Sequence, residues 1–92
     1  MEDHDPLNGM LPRGGGVTLD RIIPEQACRI VGIRARGRSR RRMFAMGLVP
    51  GARVEMLRTA PLGDPVEYRV RGYCLAIRKA DAGLIDVMPE EQ

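Results

Sequence analysis

Few side chains in this sequence are of a type that does chemistry, and their spacing works against it. The single histidine, His4, sits among Glu2, Asp3 and Asp5, close to Pro6, Gly9 and Pro12. Imidazole and carboxylates together can hold a divalent ion weakly, but such a segment has no preset geometry. Adventitious metal binding by Asp3, His4 and Asp5 is therefore the most that is expected, and no cofactor is. The hydroxyls of Thr18, Ser39 and Thr59 have no general base near them in sequence, so an enzyme is not expected. Cys28 and Cys74 form neither a C-x-x-C pair nor a Cys/His cluster, and both are expected to be buried, reduced thiols.

The arginines are the stronger signal. The formal charge is only +3, yet no acid occurs between Glu25 and Glu55, while Arg29, Arg34, Arg36, Arg38, Arg40, Arg41, Arg42 and Arg53 all fall there. Acids gather at the two ends, in Glu2 to Asp5 and in Glu90 and Glu91. One face or loop must be strongly basic. Such a surface meets nucleic acid, anionic lipid or an acidic protein, or is simply a solvated loop. The aromatic residues are Phe44, Tyr68 and Tyr73. With Phe44 and Tyr68 expected to be buried, almost no stacking platform is left for nucleic acid.

These residues must be positioned by one small core, since 92 residues make a single domain. Residues 1–16 read as a flexible leader, 17–88 as the domain and 89–92 as an acidic tail. The acidic N-terminus lacks the marks of a secretory signal, and no apolar run approaches the roughly 20 residues that span a bilayer, so a cytosolic protein is expected. Ala27–Ile33 is a β-rich run in which Cys28 and Ile30 share a face, and Gly32 offers a place for a bulge. Ser39 is a good N-cap for a short helix over 40–46, with Met43 and Met46 on one side and Phe44 flanking them. Gly47 ends that helix, and Leu48 is placed to touch its last turn.

After the turn at Val49-Pro50-Gly51, Val54 and Met56 alternate with charged residues in a second strand, Arg53–Arg58. Ala60-Pro61-Leu62-Gly63-Asp64-Pro65 is a rigid loop that leaves open whether Leu62 folds back or stays exposed. Val66, Tyr68 and Val70 point inward on the next strand, and a tight turn at Arg71-Gly72 leads into Tyr73–Ile77. One helical turn before Gly83 and a last strand at 84–87 complete the pattern. Five or six short strands with one or two short helices indicate a mainly β, small barrel.

The blocks Arg42-Met43-Phe44-Ala45-Met46-Gly47-Leu48-Val49-Pro50-Gly51, Ala60-Pro61-Leu62-Gly63-Asp64-Pro65, Val70-Arg71-Gly72-Tyr73 and Ala76-Ile77-Arg78-Lys79 together resemble the FeoA family. The resemblance covers about Val17 to Val87. It implies an SH3-like barrel and a non-enzymatic, cytosolic accessory protein of bacterial ferrous-iron uptake. Its implied partner is the membrane permease FeoB, which carries a cytosolic GTPase domain, so the protein would sit at the inner face of the membrane when bound. Within this frame Met46, Gly47, Pro50, Gly51 and Gly72 mark the structural motif. Arg36, Arg38, Arg40 and Arg41, with Pro61, Leu62, Gly63, Asp64 and Pro65, are the candidate partner-binding residues. The same module also resembles the C-terminal part of iron-dependent repressors of the DtxR type, which keeps a metal-responsive regulatory or nucleic-acid-binding barrel as the alternative. Self-association is left open. The leader and the arginine density of 34–42 exceed the family pattern.

Overall fold

Strict alternation over Val66–Val70 puts Val66, Tyr68 and Val70 on one face, and all three are buried in the computed structural model of the chain, which describes residues 16–90. The elements in chain order are β1 (Val17–Thr18), a single 3-10 turn (Leu19–Arg21), β2 (Ala27–Ile33), α1 (Gly37–Ala45), β3 (Arg53–Thr59), β4 (Val66–Val70), β5 (Tyr73–Ile77), α2 (Lys79–Ala82) and β6 (Ile85–Pro89). The six strands form one antiparallel sheet in the order β1-β6-β2-β3-β4-β5. The sheet curls into an SH3-like barrel, and α2, following the β5 edge, packs on the 3-10 turn that follows the β1 edge.

Two bulges sharpen the curl. The β2–β6 register shifts between Ile30 and Gly32, where the glycine had suggested it, and the β3–β4 register shifts between Met56 and Arg58. Each extra residue bends its strand and increases the local twist. Inside lie Leu19, Cys28, Ile30, Leu48, Val54, Tyr68, Val70, Ile85 and Val87, each essentially without exposed surface. Tyr68 is the largest of them, and its hydroxyl donates to the Leu19 carbonyl at 3.3 Å. A buried phenol needs such an acceptor, and this one ties β4 to the 3-10 turn.

Helix α1 ends as its sequence suggests. The Leu48 N–H donates to the Met43 carbonyl at 2.9 Å and the Gly47 N–H to that of Phe44 at 3.0 Å, which together make a Schellman cap. Gly47 has φ +91°, and a Cβ built there would lie 3.2 Å from Arg71 Cδ. The Arg71-Gly72 turn has φ of +51° and +89°, as a two-residue type I′ hairpin requires.

Four local expectations fail. The helix begins at Gly37, with Arg36 at the N-cap position and no side-chain cap, because the first turn closes from Arg40 N–H to the Arg36 carbonyl, ahead of Ser39. Phe44 is 37% exposed, since α1 docks with Met43 inward and so leaves the residue beside it outside. Cys74 is exposed because it lies on the outward face of β5, an edge strand. Pro89 pairs with Cys28 and the Glu90 N–H donates to the Ala27 carbonyl, so the ordered domain continues past 88 into the expected tail.

Gly47→Val should lower stability by about 1–2 kcal/mol through left-handed strain, a drop of roughly 4–16 °C in melting temperature for a domain of this size. An unchanged melting curve would show that the helix terminus tolerates a side chain. Burial, and then Glu90, push the Cys28 thiol from 9.0 up to about 12, and burial, then Asp20, push the Tyr68 phenol upward from 10.0. The folded state therefore keeps protons that the unfolded chain releases, so stability is full below pH 9 and falls as pH rises from 9 toward 12. In a pH series of urea melts, Cys28→Ala should move the onset of this loss from near pH 9 toward pH 10, where Tyr68 takes over. Ellman's reagent should modify Cys74 in the native protein and Cys28 only after unfolding.

Candidate functional site

Of the arginines in the acid-free interval, three pair with carboxylates distant in sequence, two of them sharing one. Glu90 reaches Arg53 Nε at 3.0 Å and Arg29 Nε at 3.4 Å, and Asp86 accepts two hydrogen bonds from Arg34, from Nε at 3.1 Å and Nη2 at 2.5 Å. That pair holds the Arg34 guanidinium protonated even above its ordinary range. Arg36, Arg38, Arg40, Arg41 and Arg42 make no ion pair among the described residues. All five lie on or at the start of α1, and all are exposed. The Arg40 guanidinium stands 4.9 Å over the Phe44 ring. Arg42 lies to the side, over a shallow groove floored by Met43, Met46 and Ile77 and shared with Arg78 and Asp81.

The helix is fixed to the barrel at its C-terminal end. The Tyr73 hydroxyl donates to the Met46 carbonyl at 2.8 Å, joining the helix to the Arg71-Gly72 hairpin. The Val49-Pro50-Gly51-Ala52 turn is stitched to β2, with Gly51 N–H donating to the Ile30 carbonyl at 2.7 Å and Ile30 N–H to that of Ala52 at 2.9 Å. Met46, Gly47, Pro50, Gly51 and Gly72 thus surround one junction between helix, hairpin and sheet.

The second candidate segment is elsewhere. Pro61 and Leu62 are the central residues of a turn closed by the Gly63 N–H on the Ala60 carbonyl at 2.7 Å, and the Ala60 N–H donates to the Pro65 carbonyl at 2.9 Å. Leu62 is 96% exposed, which settles the question its sequence left open. Asp64 has a structural task that its sequence did not show: its Oδ1 accepts the Lys79 backbone N–H at 2.9 Å, capping α2, which has no cap of its own. By the β3–β4 register, the loop leaves the sheet at the Thr59–Val66 end, opposite the Val54–Val70 end where the hairpin meets α1. Ile23, 63% exposed, precedes β2 on the loop's side, since Glu25 N–H bonds the Met56 carbonyl. The Pro/Gly loop and the Arg71-Gly72 hairpin that meets α1 thus lie at opposite ends of β4.

Asp3, His4 and Asp5 lie outside the described residues. Among the described residues no three His, Cys, Asp or Glu side chains converge, and no helix is long and apolar enough to cross a membrane.

A curled six-stranded antiparallel sheet with a helix in the β2–β3 connection defines a small SH3-like barrel domain. The FeoA domain model matches residues 17–89, and the chain belongs to the FeoA domain family. It is 41% identical over 58 residues to an Fe(2+) transport protein A/Fe(2+) transporter FeoB fusion protein of Porphyromonas gingivalis, a match that covers 63% of this chain and 7% of the fusion. The NMR structure of a FeoA-like protein from Clostridium acetobutylicum is 32% identical with a TM-score of 0.77, covering 85% of this chain and 91% of that one. The zinc complex of Stenotrophomonas maltophilia FeoA, described as a procaryotic SH3 domain protein, shares the fold at 23% identity and a TM-score of 0.71, covering 82% of this chain and 96% of that one.

Asp64→Ala should cost about 1 kcal/mol, the usual loss for a helix cap. Amide exchange at Lys79 should accelerate with it, whereas Asp64→Asn should largely preserve both. Exchange at Lys79 unaffected by Asp64→Ala would remove the cap from the account.

Proposed function

We propose that this protein is a non-enzymatic accessory protein of ferrous-iron uptake that binds and modulates a FeoB-type permease, and that the Pro61–Pro65 loop makes the contact. The observation that carries the reading is Leu62, 96% exposed at the tip of a loop held by its own turn and by the Asp64–Lys79 bond. A large aliphatic side chain held out on a rigid support loses little conformational freedom when a partner covers it, which makes it a good anchor. Family membership supports the choice of partner, as does the relative in which transport protein A and the transporter FeoB form one polypeptide. The domain then works at the inner face of the membrane, through the permease.

Leu62→Gln tests this. Titrating it against a purified FeoB-type permease in detergent should show binding weakened about 10-fold or more, as for truncation of an interface anchor, while the melting temperature stays within a degree or two of the parent. Loss of folding would move Leu62 into the structural framework, and unchanged affinity would take the loop out of the interface.

A further inference from the structure

Among the described residues the arginines of α1 enter no ion pair. Arg36, Arg38 and Arg40 crowd the N-terminal half of the helix, where the helix dipole disfavours positive charge, and the first turn carries no acid. Arg34 has Asp86, and Arg29 and Arg53 share Glu90, but Arg36, Arg38, Arg40 and Arg41 have no carboxylate partner among the described residues. Arg42 is the exception in setting, because it shares its groove with Asp81. At 100° per residue, Arg38, Arg41 and Ala45 point away from buried Met43, with Phe44 and Arg40 on the adjoining flank.

Apolar surface is interleaved with these charges. Phe44 is 37% exposed with Arg40 over its ring. Tyr73, 46% exposed, borders the C-terminal end of the helix, with its hydroxyl held by the Met46 carbonyl. Leu84, 37% exposed, lies before the N-terminal end, its carbonyl taken by the Arg34 N–H. Three of the five large apolar residues exposed among the described residues thus lie on or beside the basic helix. The other two, Ile23 and Leu62, leave the sheet at the opposite end.

We infer that the outer face of α1 is a docking surface for an anionic phospholipid bilayer. Arginines pair with headgroup phosphates, and Phe44, framed by Tyr73 and Leu84, enters the boundary between headgroups and acyl chains. A basic helical face with an aromatic residue in its midst is the composition that lies in such an interface. A convex helix whose arginines fan out suits a fluid array of phosphates, which rearranges around it. A nucleic acid or an acidic protein surface would meet the charge of the arginines alone, whereas the acyl boundary beneath the headgroups also takes up the exposed Phe44 side chain. The lipid assignment rests on the arginines and Phe44 of α1 and stands without the permease.

The full chain contains no tryptophan, so Phe44→Trp supplies a single local probe. Vesicles of phosphatidylcholine alone and of phosphatidylcholine mixed with phosphatidylglycerol are titrated in low and physiological salt. Co-sedimentation of the parent protein is expected with the mixed vesicles only, weakening as salt rises. The Phe44→Trp emission should shift to the blue on those vesicles and be quenched by brominated acyl chains. Changing Arg36, Arg38, Arg40 and Arg41 to Ser should abolish sedimentation, because each basic residue near an anionic leaflet contributes roughly five-fold to partitioning. Melting curves of both variants that match the parent exclude unfolding as the cause. Three results would overturn the proposal: no sedimentation with mixed vesicles at low salt, sedimentation without any emission shift, or retention of binding by the four-serine variant. Tight binding of a duplex oligonucleotide or an acidic peptide by a protein that ignores the vesicles would reassign the face to nucleic acid or to an acidic protein.

Discussion

Tyr68 has no exposed surface, and it is the only aromatic residue wholly inside the barrel. Its ring fills the space between the curled halves of the sheet, and its hydroxyl must find an acceptor without help from water. The Leu19 carbonyl supplies it, so the 3-10 turn after β1 has to lie over the open side of the barrel. That turn in turn receives α2, which brings the β5 side of the sheet toward the β1 side. One buried phenol thereby constrains strand curvature, the course of the N-terminal turn and the approach of the two sheet edges. The surrounding Val, Ile and Leu side chains supply apolar burial, which is non-directional. The hydroxyl supplies direction.

A second junction fixes the helix. Gly47 leaves room for Arg71, whose side chain passes within 3.2 Å of the place a Cβ would occupy, and the Schellman cap turns Met43 and Leu48 into the core. With Tyr73 bonded to the last turn, α1 moves as part of the barrel rather than as a tethered arm. A helix held at its C-terminal end presents its exposed face in a constant orientation, which gives meaning to the position of each arginine on it.

The surface is organised by the same frame. Antiparallel hairpins send successive connections to alternate ends, so the β3–β4 loop with Leu62 and the β4–β5 turn beside α1 are opposed by topology. Long-range ion pairs then divide the basic interval: Glu90 and Asp86 absorb Arg29, Arg53 and Arg34, and the remaining charge concentrates on one helix. The FeoA domain here exposes Leu62 on the β3–β4 loop and a basic face on α1.

Much of this was legible in the residues themselves, because local rules act over a few positions. Period-two alternation marked Val54, Met56, Val66, Tyr68 and Val70 as inward, and all five are buried. Gly47 and Gly72 marked their turns because left-handed backbone is cheap for glycine. The misreadings of Phe44, Cys74, Asp64 and Glu90 share one cause. Tyr73–Ile77 reads as a buried apolar run, yet only its place at the sheet edge makes Cys74 exposed; Phe44 lies next to a buried methionine, yet only the docking angle of α1 decides which of the two faces inward. Asp64 and Glu90 looked like loop and tail acids until the fold brought the Lys79 amide and two arginines to them. Strand order, helix docking and pairing across dozens of residues are properties of the whole sheet, and a sequence read locally contains no term for them. The arginine run announced a basic surface, but which of its members pair with a carboxylate among the described residues was decided by tertiary structure alone, since Asp86 and Glu90 lie far away along the chain.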